Sequence, residues 1–321
     1  MKIVDATSQN ISGAADVINS GGLVAFPTET VYGLGADGLN PLAVSKIFEA
    51  KKRPAFNPLI LHIANFEQLE SICYLKNKKI ELLIAEFWPG PLTLVLPKKN
   101  NVHDIVTSGH TTVAVRMPDH PVALSLITKA GKPIAAPSAN KFGELSPTTA
   151  AHVAKQLNNE VDIILDGGPC KVGVESTIVE VTESEIIILR PGGLPIEELE
   201  DVVGRISLKK GNELNPNSPG QLLFHYAPKI PLKILNDELL QNLGGLKTAA
   251  LLFKENSYDF KFDIVKFLSQ KGDLREAATN LFSCLHELEN SGVDLILAEP
   301  IEEKGIGKAI MDRLIKASNK F

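Results

Sequence analysis

The chain of 321 residues has little of what marks several specialised protein classes. Its three cysteines, Cys73, Cys170 and Cys284, are odd in number and far apart, which predicts neither a disulfide framework nor a paired metal site. We expect them to be small core residues in a reducing cytoplasm. No apolar run is long enough to span a bilayer, and residues 1–5 include an acid without a long apolar stretch. We therefore expect no signal peptide and no membrane partner.

The chain also lacks an excess of positive charge. Its formal net charge of −5 argues against a protein that coats nucleic acid, because neutralising a phosphate backbone takes a clustered basic surface. A local basic pocket is still compatible with this charge. The seven histidines are scattered and no spacing predicts a zinc site. With 44% hydrophobic and 22% charged residues, the composition is typical of a globular protein, and the length favours two domains.

Short apolar runs bounded by Gly and Pro predict an α/β domain that ends near residue 200. Residues 22–26 are predicted as a strand, and Asn40 with Pro41 as the start of a helix, so the segment between them is predicted as a loop. Ser146 followed by Pro147 predicts another helix start. The remaining predictions are strands at 59–63, 92–96, 112–117, 133–136, 161–165, 177–181 and 186–189, helices near 79–87 and 120–130, and a hairpin turn at 182–185.

A segment rich in Asn, Pro and Gly follows this domain and predicts a linker. We place the first domain at residues 1–207, the linker at 208–230 and a second domain at 231–321. The second domain is predicted to be a small α/β domain. Its predicted elements are strands at 232–235, 248–253 and 293–298 and helices around 273–290 and 305–318.

The segment from Pro27 to Gly35 packs hydroxyls, a carboxylate and two glycines behind an apolar run, which indicates a binding loop. Residues 33–38 formally match the dinucleotide fingerprint G-x-G-x-x-G. That fingerprint should leave a strand directly and open a helix, whereas here the predicted helix begins only at Pro41. Nicotinamide binding is therefore disfavoured, and no Walker P-loop is present.

Four cations, Lys51, Arg53, Arg116 and Arg190, each stand at the end of a predicted element and shortly before a Pro. Any one of them alone would more often be a solvated surface charge. Together they predict an anionic ligand such as a triphosphate with a carboxylate, because guanidinium groups bind such oxygens bidentately. Ser146 is compatible with both a helix cap and a phosphate contact.

An ordered set of motifs runs through the first domain and into the predicted linker, and it resembles one family closely. The set comprises PTETVYGLG at 27–35, KKRPAFNPLILH at 51–62, VRMP at 115–118, APSAN at 136–140, EST at 175–177, LRPGG at 189–193, SPG at 218–220 and HYAP at 225–228. A thinner match closes the chain at 305–314. The chain resembles the threonylcarbamoyl-AMP synthases, the YrdC-like family, in its long two-domain form. The resemblance implies a mixed twisted sheet with covering helices, followed by a small Rossmann-like domain.

The activity that the resemblance implies is synthesis of threonylcarbamoyl-adenylate from L-threonine, bicarbonate and ATP, with magnesium as cofactor and release of pyrophosphate. Lys51 and Arg53 are the implied catalytic residues. The implied threonine contacts are Thr30, His62, Arg116, Ala136 and Ser176. The implied ATP contacts are Arg53, Asn57, Thr112, Ser138, Asn140, Ser146 and Arg190. His225 and Tyr226 are implied to form a lid; the alternative for a loop so rich in Pro and Gly is a plain spacer.

The family further implies that the product passes to partner proteins that modify an adenosine next to the anticodon of tRNA. The acidic composition favours an enzyme without stable tRNA binding. Two alternatives stay open at this point. An RNA-binding module would bind RNA in a salt-dependent way without threonine. A carbamoyl-adenylate synthase of hydrogenase maturation shares the domain type but needs zinc-finger and acylphosphatase segments, which we do not find.

Overall fold

The computed structural model describes residues 2–75, 77–182, 185–208, 216 and 218–320. Residues 183–184 of the turn predicted at 182–185, and residues 209–215 and 217 of the predicted linker, lie outside the described residues. Among the helices that are described, none combines the length and the apolar character that a membrane span requires.

The first part of the chain builds a mixed sheet with helices packed against it, which confirms the predicted α/β fold. Its described strands are β1 (Lys2–Asp5), β2 (Val24–Phe26), β3 (Gly33–Asp37), β4 (Ile60–His62), β5 (Leu92–Pro97), β6 (Thr112–Arg116), β7 (Ile134–Ala135), β8 (Ile163–Asp166), β9 (Thr177–Val181), β10 (Ile186–Arg190) and β11 (Ser207–Leu208). Their spatial order is β1-β8-β2-β3-β7-β4-β6-β5-β9-β10-β11. The parallel pairing of β4 with β6 places His62 directly opposite Arg116.

This part has eight described α-helices, most of which begin at a polar residue whose side chain caps the first turn. They are α1 (Ser8–Asn19), α2 (Pro41–Lys51), α3 (Phe66–Ile72), α4 (Lys78–Phe87), α5 (Asp104–Thr107), α6 (Pro121–Ala130), α7 (Ala150–Leu157) and α8 (Ile196–Val203). The Oδ1 atom of Asn40 accepts hydrogen bonds from the backbone of Leu42 and Ala43 at 3.0 and 3.3 Å. Helix α2 ends at Lys51, and its C-cap Lys52, with a φ of 51°, turns the chain between Lys51 and Arg53.

Two predictions for this domain were wrong. The segment 27–40 was predicted as a loop, but it contains β3, which pairs antiparallel with β2. Strand β3 has a glycine at position 35, where a larger residue would not fit. A Cβ there would stand 2.7 Å from the ring of Phe26 and 2.9 Å from Cγ2 of Ile134. The glycines of the formal dinucleotide motif therefore allow close packing within an antiparallel sheet.

The second error concerns Ser146, which does not begin a helix. Helix α7 begins at Ala150, and its cap is Thr149, whose Oγ1 accepts from the backbone N of His152 at 3.3 Å. The carbonyl of Pro147 instead accepts from the backbone N of Tyr32 at 2.9 Å. This contact ties residues 146–148 to the loop before β3 and prevents a helical conformation there.

The second part of the chain forms a smaller parallel sheet with two long helices, as predicted. Its elements are β12 (Leu232–Ile234), α9 (Asp237–Leu240), β13 (Thr248–Leu252), β14 (Ile264–Phe267), α10 (Leu274–Leu288), β15 (Leu295–Ala298) and α11 (Gly307–Ser318), and the strand order is β12-β15-β13-β14. Strand β14 was not predicted, because its half-buried residues at the sheet edge give no clear apolar period. The exact domain boundaries stay a prediction.

The two parts share an apolar cluster. Val31, Leu145 and Val174 from loops of the first part pack in one cluster with Tyr226 and Phe282. These loops also carry the predicted site residues. The second domain is therefore packed directly behind the candidate site.

Candidate active site

One cavity brings most of the predicted site residues together. It encloses about 550 Å³ of empty space including its open mouth. The predicted residues that line it are Thr30, Arg53, His62, Arg116, Ala136, Ser138, Ser176, Arg190, His225 and Tyr226. They come from separate stretches of the chain, and the fold brings them together.

Five predicted residues, Lys51, Asn57, Thr112, Asn140 and Ser146, do not line the cavity. Thr112 is half-buried at the start of β6, opposite Pro97 of β5. Asn57 is 1% exposed, and neither atom of its side-chain amide has a hydrogen-bond partner in the described structure. A buried amide without partners costs free energy, so a ligand that reached Asn57 would be bound favourably.

The ammonium of Lys51 donates hydrogen bonds to backbone carbonyls. It donates to the carbonyl of Ser138 at 2.6 Å and also to the carbonyl of Asn140. The side-chain amide of Asn140 donates in turn to the carbonyls of Lys141 and Glu144 at 2.9 and 2.8 Å. Burial lowers the pKa of Lys51 well below its usual value, and Arg53 lowers it further. These contacts shape the turn that presents Ser138 to the cavity.

Arg116 is held rigidly at the end of β6. Its Nε donates to the carbonyl of Gly90 at 3.2 Å and its Nη1 to Oγ1 of Thr30 at 2.8 Å. Nη2 lies 2.6 Å from Oε1 of Glu29, an ion pair that lacks hydrogen-bond geometry. Because a guanidinium carries five N–H donors, Arg116 retains donors for a carboxylate in the cavity.

His62 faces Arg116 across the neighbouring strand and is 3% exposed. Burial and the positive charge of Arg116 lower the pKa of His62 to about 3, so the imidazole is neutral at physiological pH. Its Nδ1 has no hydrogen-bond partner in the described structure. A neutral imidazole with one open nitrogen is suited to contact a polar ligand rather than to pair with an anion.

Two further arginines, Arg53 and Arg190, line the same cavity. Arg53 donates from Nε to the carbonyl of Asn57 at 3.1 Å and from Nη2 to the carbonyl of Pro58 at 2.8 Å. Arg190 donates from Nη2 to the carbonyl and Oγ of Ser176 at 2.8 and 3.1 Å. Neither arginine has an ion pair within the described part of the chain. Burial and then Arg190 lower the pKa of Arg53, which a polyanionic ligand would reverse.

The later part of the predicted linker, from residue 218 onward, lines the same cavity and packs against Arg190. Gly220, at φ 85°, packs so tightly that a Cβ would lie 2.7 Å from Cδ of Arg190 and 2.8 Å from the hydroxyl of Tyr226. Tyr226 is 2% exposed and adopts φ 62°, unusual for a residue with a side chain. The pKa of the adjacent His225 lies well below its usual value because of burial, Arg53, Lys51, Lys316 and Arg190. A constrained backbone over a cluster of cations is consistent with a cover for a polyanion.

Three functional candidates were missed by sequence reasoning. Glu29 and Glu175 were read only as parts of motifs, although each is buried against an arginine. Arg313 lies on α11, yet its Nε donates to Oε2 of Glu175 at 2.9 Å. No local pattern signals a pair 138 positions apart in the chain; only its place in the closing motif at 305–314 marked Arg313.

Comparison with known proteins identifies two family models along the chain. The Sua5/YciO/YrdC model, described as telomere recombination, matches residues 16–192, and the model of the threonylcarbamoyl-AMP synthase C-terminal domain matches residues 194–319. The threonylcarbamoyl-AMP synthase of Pyrococcus abyssi is 47% identical and covers 95% of this chain and 93% of its own. That of Bacillus subtilis is 45% identical and covers 98% and 96%.

A solved structure agrees with these family matches. The crystal structure of P. abyssi Sua5 complexed with L-threonine matches with a TM-score of 0.91 and 46% identity. The match covers 99% of this chain and 96% of that chain. Both domains and their relative placement are therefore shared with a protein that binds L-threonine.

Proposed function

The chain belongs to the threonylcarbamoyl-AMP synthase family of enzymes, and we propose that it joins L-threonine, bicarbonate and ATP into threonylcarbamoyl-adenylate and releases pyrophosphate. The observation that supports this most directly is that two groups of polar side chains line one cavity. Arg116, Thr30 and the neutral His62 form one group, and Arg53 with Arg190 forms the other. Two such groups suit a small zwitterion beside a polyanion.

In the first group, Arg116 would bind the threonine carboxylate. Its guanidinium is held in place by Thr30, Gly90 and Glu29, so little conformational freedom is lost on binding. His62 contributes the open Nδ1 that would contact the amine or the hydroxyl of threonine. The P. abyssi protein, whose crystal structure is a complex with L-threonine, supports this assignment.

In the second group, Arg53 and Arg190 would bind the phosphates of ATP, with Ser138 as a hydroxyl partner. Asn57, Thr112 and Ser146 are carried over from the family pattern as further ATP contacts, and the unpartnered amide of Asn57 supports its place among them. Arg53 stays our candidate for a catalytic residue. Because the ammonium of Lys51 contacts the carbonyls of residues 138 and 140, we propose that it acts by holding that turn.

The reaction requires two bond-forming steps. The threonine amine attacks the carbon of bicarbonate, and water leaves to give an N-carboxylate. An oxygen of that carbamate then attacks the α-phosphorus, while the bond between this phosphorus and the bridging oxygen breaks and pyrophosphate departs. The protein would align the two reactants and balance the charge on the triphosphate. The covering segment around Gly220 and Tyr226 would limit water, which hydrolyses a mixed anhydride.

Magnesium is implied by the use of ATP, but the carboxylates near the cavity fit it poorly as ligands. Glu29 is paired with Arg116, and Glu175 with Arg313. Within the described ranges, no group of three or more His, Cys, Asp and Glu residues could hold a metal ion. We propose that the ion arrives bound to the phosphates as part of the substrate.

The product would pass to proteins that transfer the threonylcarbamoyl group to adenosine beside the anticodon of tRNA, since the family implies this destination. The net charge of −5 supports an enzyme that makes the intermediate without stable tRNA binding. An RNA-binding role would instead give a salt-dependent RNA complex that forms without threonine.

The test is mass spectrometry of the product formed from ATP, L-threonine and 13C-bicarbonate. We expect an adenylate that contains threonine and one labelled carbon. An adenylate of threonine without the label would indicate direct activation of the threonine carboxylate and would contradict the proposed carbamate.

A further inference from the structure

Helix α11 of the second domain places a fully buried cation behind the cavity. Arg313 is 1% exposed and donates from Nε to Oε2 of Glu175 at 2.9 Å. Its Nη1 donates to the carbonyl of Pro191 at 2.7 Å and to Oδ2 of Asp312 at 2.8 Å. Its guanidinium carbon lies 5.1 Å from the centre of the Tyr226 ring. The side chain therefore contacts both the first domain and Tyr226, which lines the cavity.

The contacts of the second domain converge on Ser146. The other carboxylate oxygen of Glu175, Oε1, accepts a short hydrogen bond from Oγ of Ser146. From helix α10, Nε2 of His286 lies 3.1 Å from the carbonyl oxygen of the same serine. Ser146 is completely buried, so these partners fix both its hydroxyl and its backbone.

The charge of Glu175 matters because this residue lines the cavity together with Arg190. Burial favours the neutral acid, but Arg313 and Arg190 outweigh burial and hold the pKa of Glu175 below its usual value. Without Arg313, the ionised carboxylate would have Arg190 as its remaining nearby cation. It would then compete with a phosphate for Arg190 and repel the triphosphate.

We propose that Arg313 is a positioning residue of the ATP site, which neutralises Glu175, keeps Arg190 available to phosphate and holds Ser146 in place. The docked second domain thus completes the nucleotide side of the cavity. This inference rests on the proposed function, because it takes the ligand of Arg190 to be ATP.

The experiment is isothermal titration calorimetry of the full chain with a non-hydrolysable ATP analogue and, separately, with L-threonine. Arg313→Gln should weaken binding of the analogue at least tenfold and change the affinity for threonine less than twofold. Arg313→Gln combined with Glu175→Gln should recover most of the lost affinity, because the uncompensated charge is gone. The matched control is Arg275→Gln, which breaks the exposed ion pair of Arg275 with Glu198 between the same two domains and should change neither affinity more than twofold.

Glu175→Gln alone covers the case in which Arg313→Gln does not fold. The amide oxygen of Gln can still accept from Ser146 while the negative charge is removed, so the analogue should bind at least as tightly as to the wild type. Weaker binding by Glu175→Gln, or equal weakening of both ligands by Arg313→Gln without rescue, would overturn the inference in favour of a merely structural ion pair. Wild-type affinity in Arg313→Gln would overturn it as well and leave the proposed function intact. A wild-type chain that does not bind the analogue would overturn the proposed function itself.

Discussion

Nη1 of Arg116 donates a hydrogen bond of 2.8 Å to Oγ1 of Thr30, which joins strand β6 to the loop after β2. The chain of bonds continues, because Oγ1 of Thr30 lies 2.8 Å from Oγ1 of Thr28, which donates to the carbonyl of Val31 at 2.7 Å. Since Thr28 uses its proton there, Thr30 must be the donor to Thr28. The hydroxyl of Thr30 therefore donates to Thr28 and accepts from Arg116.

Thr30→Val should raise KM for L-threonine about tenfold, because the isosteric change removes that acceptor and loosens Arg116 by roughly the free energy of one buried hydrogen bond. KM for ATP should change less than twofold. Thr30→Ser, which keeps the hydroxyl, is the matched control and should stay near the wild type. Parallel increases in both KM values would contradict the assignment of Thr30 and Arg116 to threonine.

Arg53→Ala should reduce ATP-dependent turnover at least a hundredfold, because a phosphate ligand would be lost. The variant also loses hydrogen bonds to the carbonyls of Asn57 and Pro58, so we expect unfolding to become easier by about 1–3 kcal/mol without loss of the fold. Lys52→Ala, a change at the exposed neighbouring cation, is the control. Turnover close to wild type in folded Arg53→Ala would remove Arg53 from the site.

Gly220→Ala should lower kcat/KM at least tenfold, because the added methyl group would meet Arg190 and Tyr226 at 2.7 and 2.8 Å. Gly245→Ala is a close control. Gly245 has a similar φ of 81°, but a Cβ there meets nothing within 4 Å, so that variant carries the backbone strain alone. Equal effects of the two substitutions would mean that backbone strain, and not contact over the cavity, explains the loss.

Stability should fall as the pH decreases from 6.5 towards 4. The pKa of His62 and that of His286 are each lowered to about 3, with burial as the largest cause. Above pH 6.5 both histidines are neutral in the folded and unfolded states; below it only the unfolded chain takes up protons. Each such histidine then lowers the free energy of unfolding by about 1.4 kcal/mol per pH unit.

Urea unfolding of the wild type and of His62→Gln between pH 4.5 and 7.5 measures this contribution. The free energy of unfolding should fall less steeply with decreasing pH in the variant, by about the contribution of one histidine. The carboxylates titrate alike in both proteins and do not add to this difference. Curves with identical slopes would show that His62 is protonated in the folded state.

Sequence reasoning predicted the elements whose signals are local. Asn40 with Pro41 at the start of α2, and the apolar runs of β5 and β13, combine a residue pattern with a boundary signal, and the structure has all three. Strand β3 was missed because its two glycines, which serve close packing against Phe26, weaken the apolar signal. The start of α7 was wrong because a distant partner, the backbone of Tyr32, decides the conformation at Pro147.

In the candidate site, too, local motifs predicted some features and the tertiary structure determined the others. The family motifs named most residues that line the cavity, and the side chains then took positions that no spacing reveals. Lys51 was expected to face an anion, but its ammonium contacts the turn carbonyls of residues 138 and 140. Glu175 and Arg313 form their ion pair only because the second domain docks on the first, which is a property of the tertiary structure.

Adenylate synthesis is tested most simply by release of pyrophosphate from ATP and magnesium, with L-threonine and bicarbonate each supplied or withheld and L-serine as the specificity control. We expect release only when both L-threonine and bicarbonate are present, and much slower release with serine. Release that is indifferent to threonine, or its absence under all conditions, would contradict adenylate synthesis in this cavity.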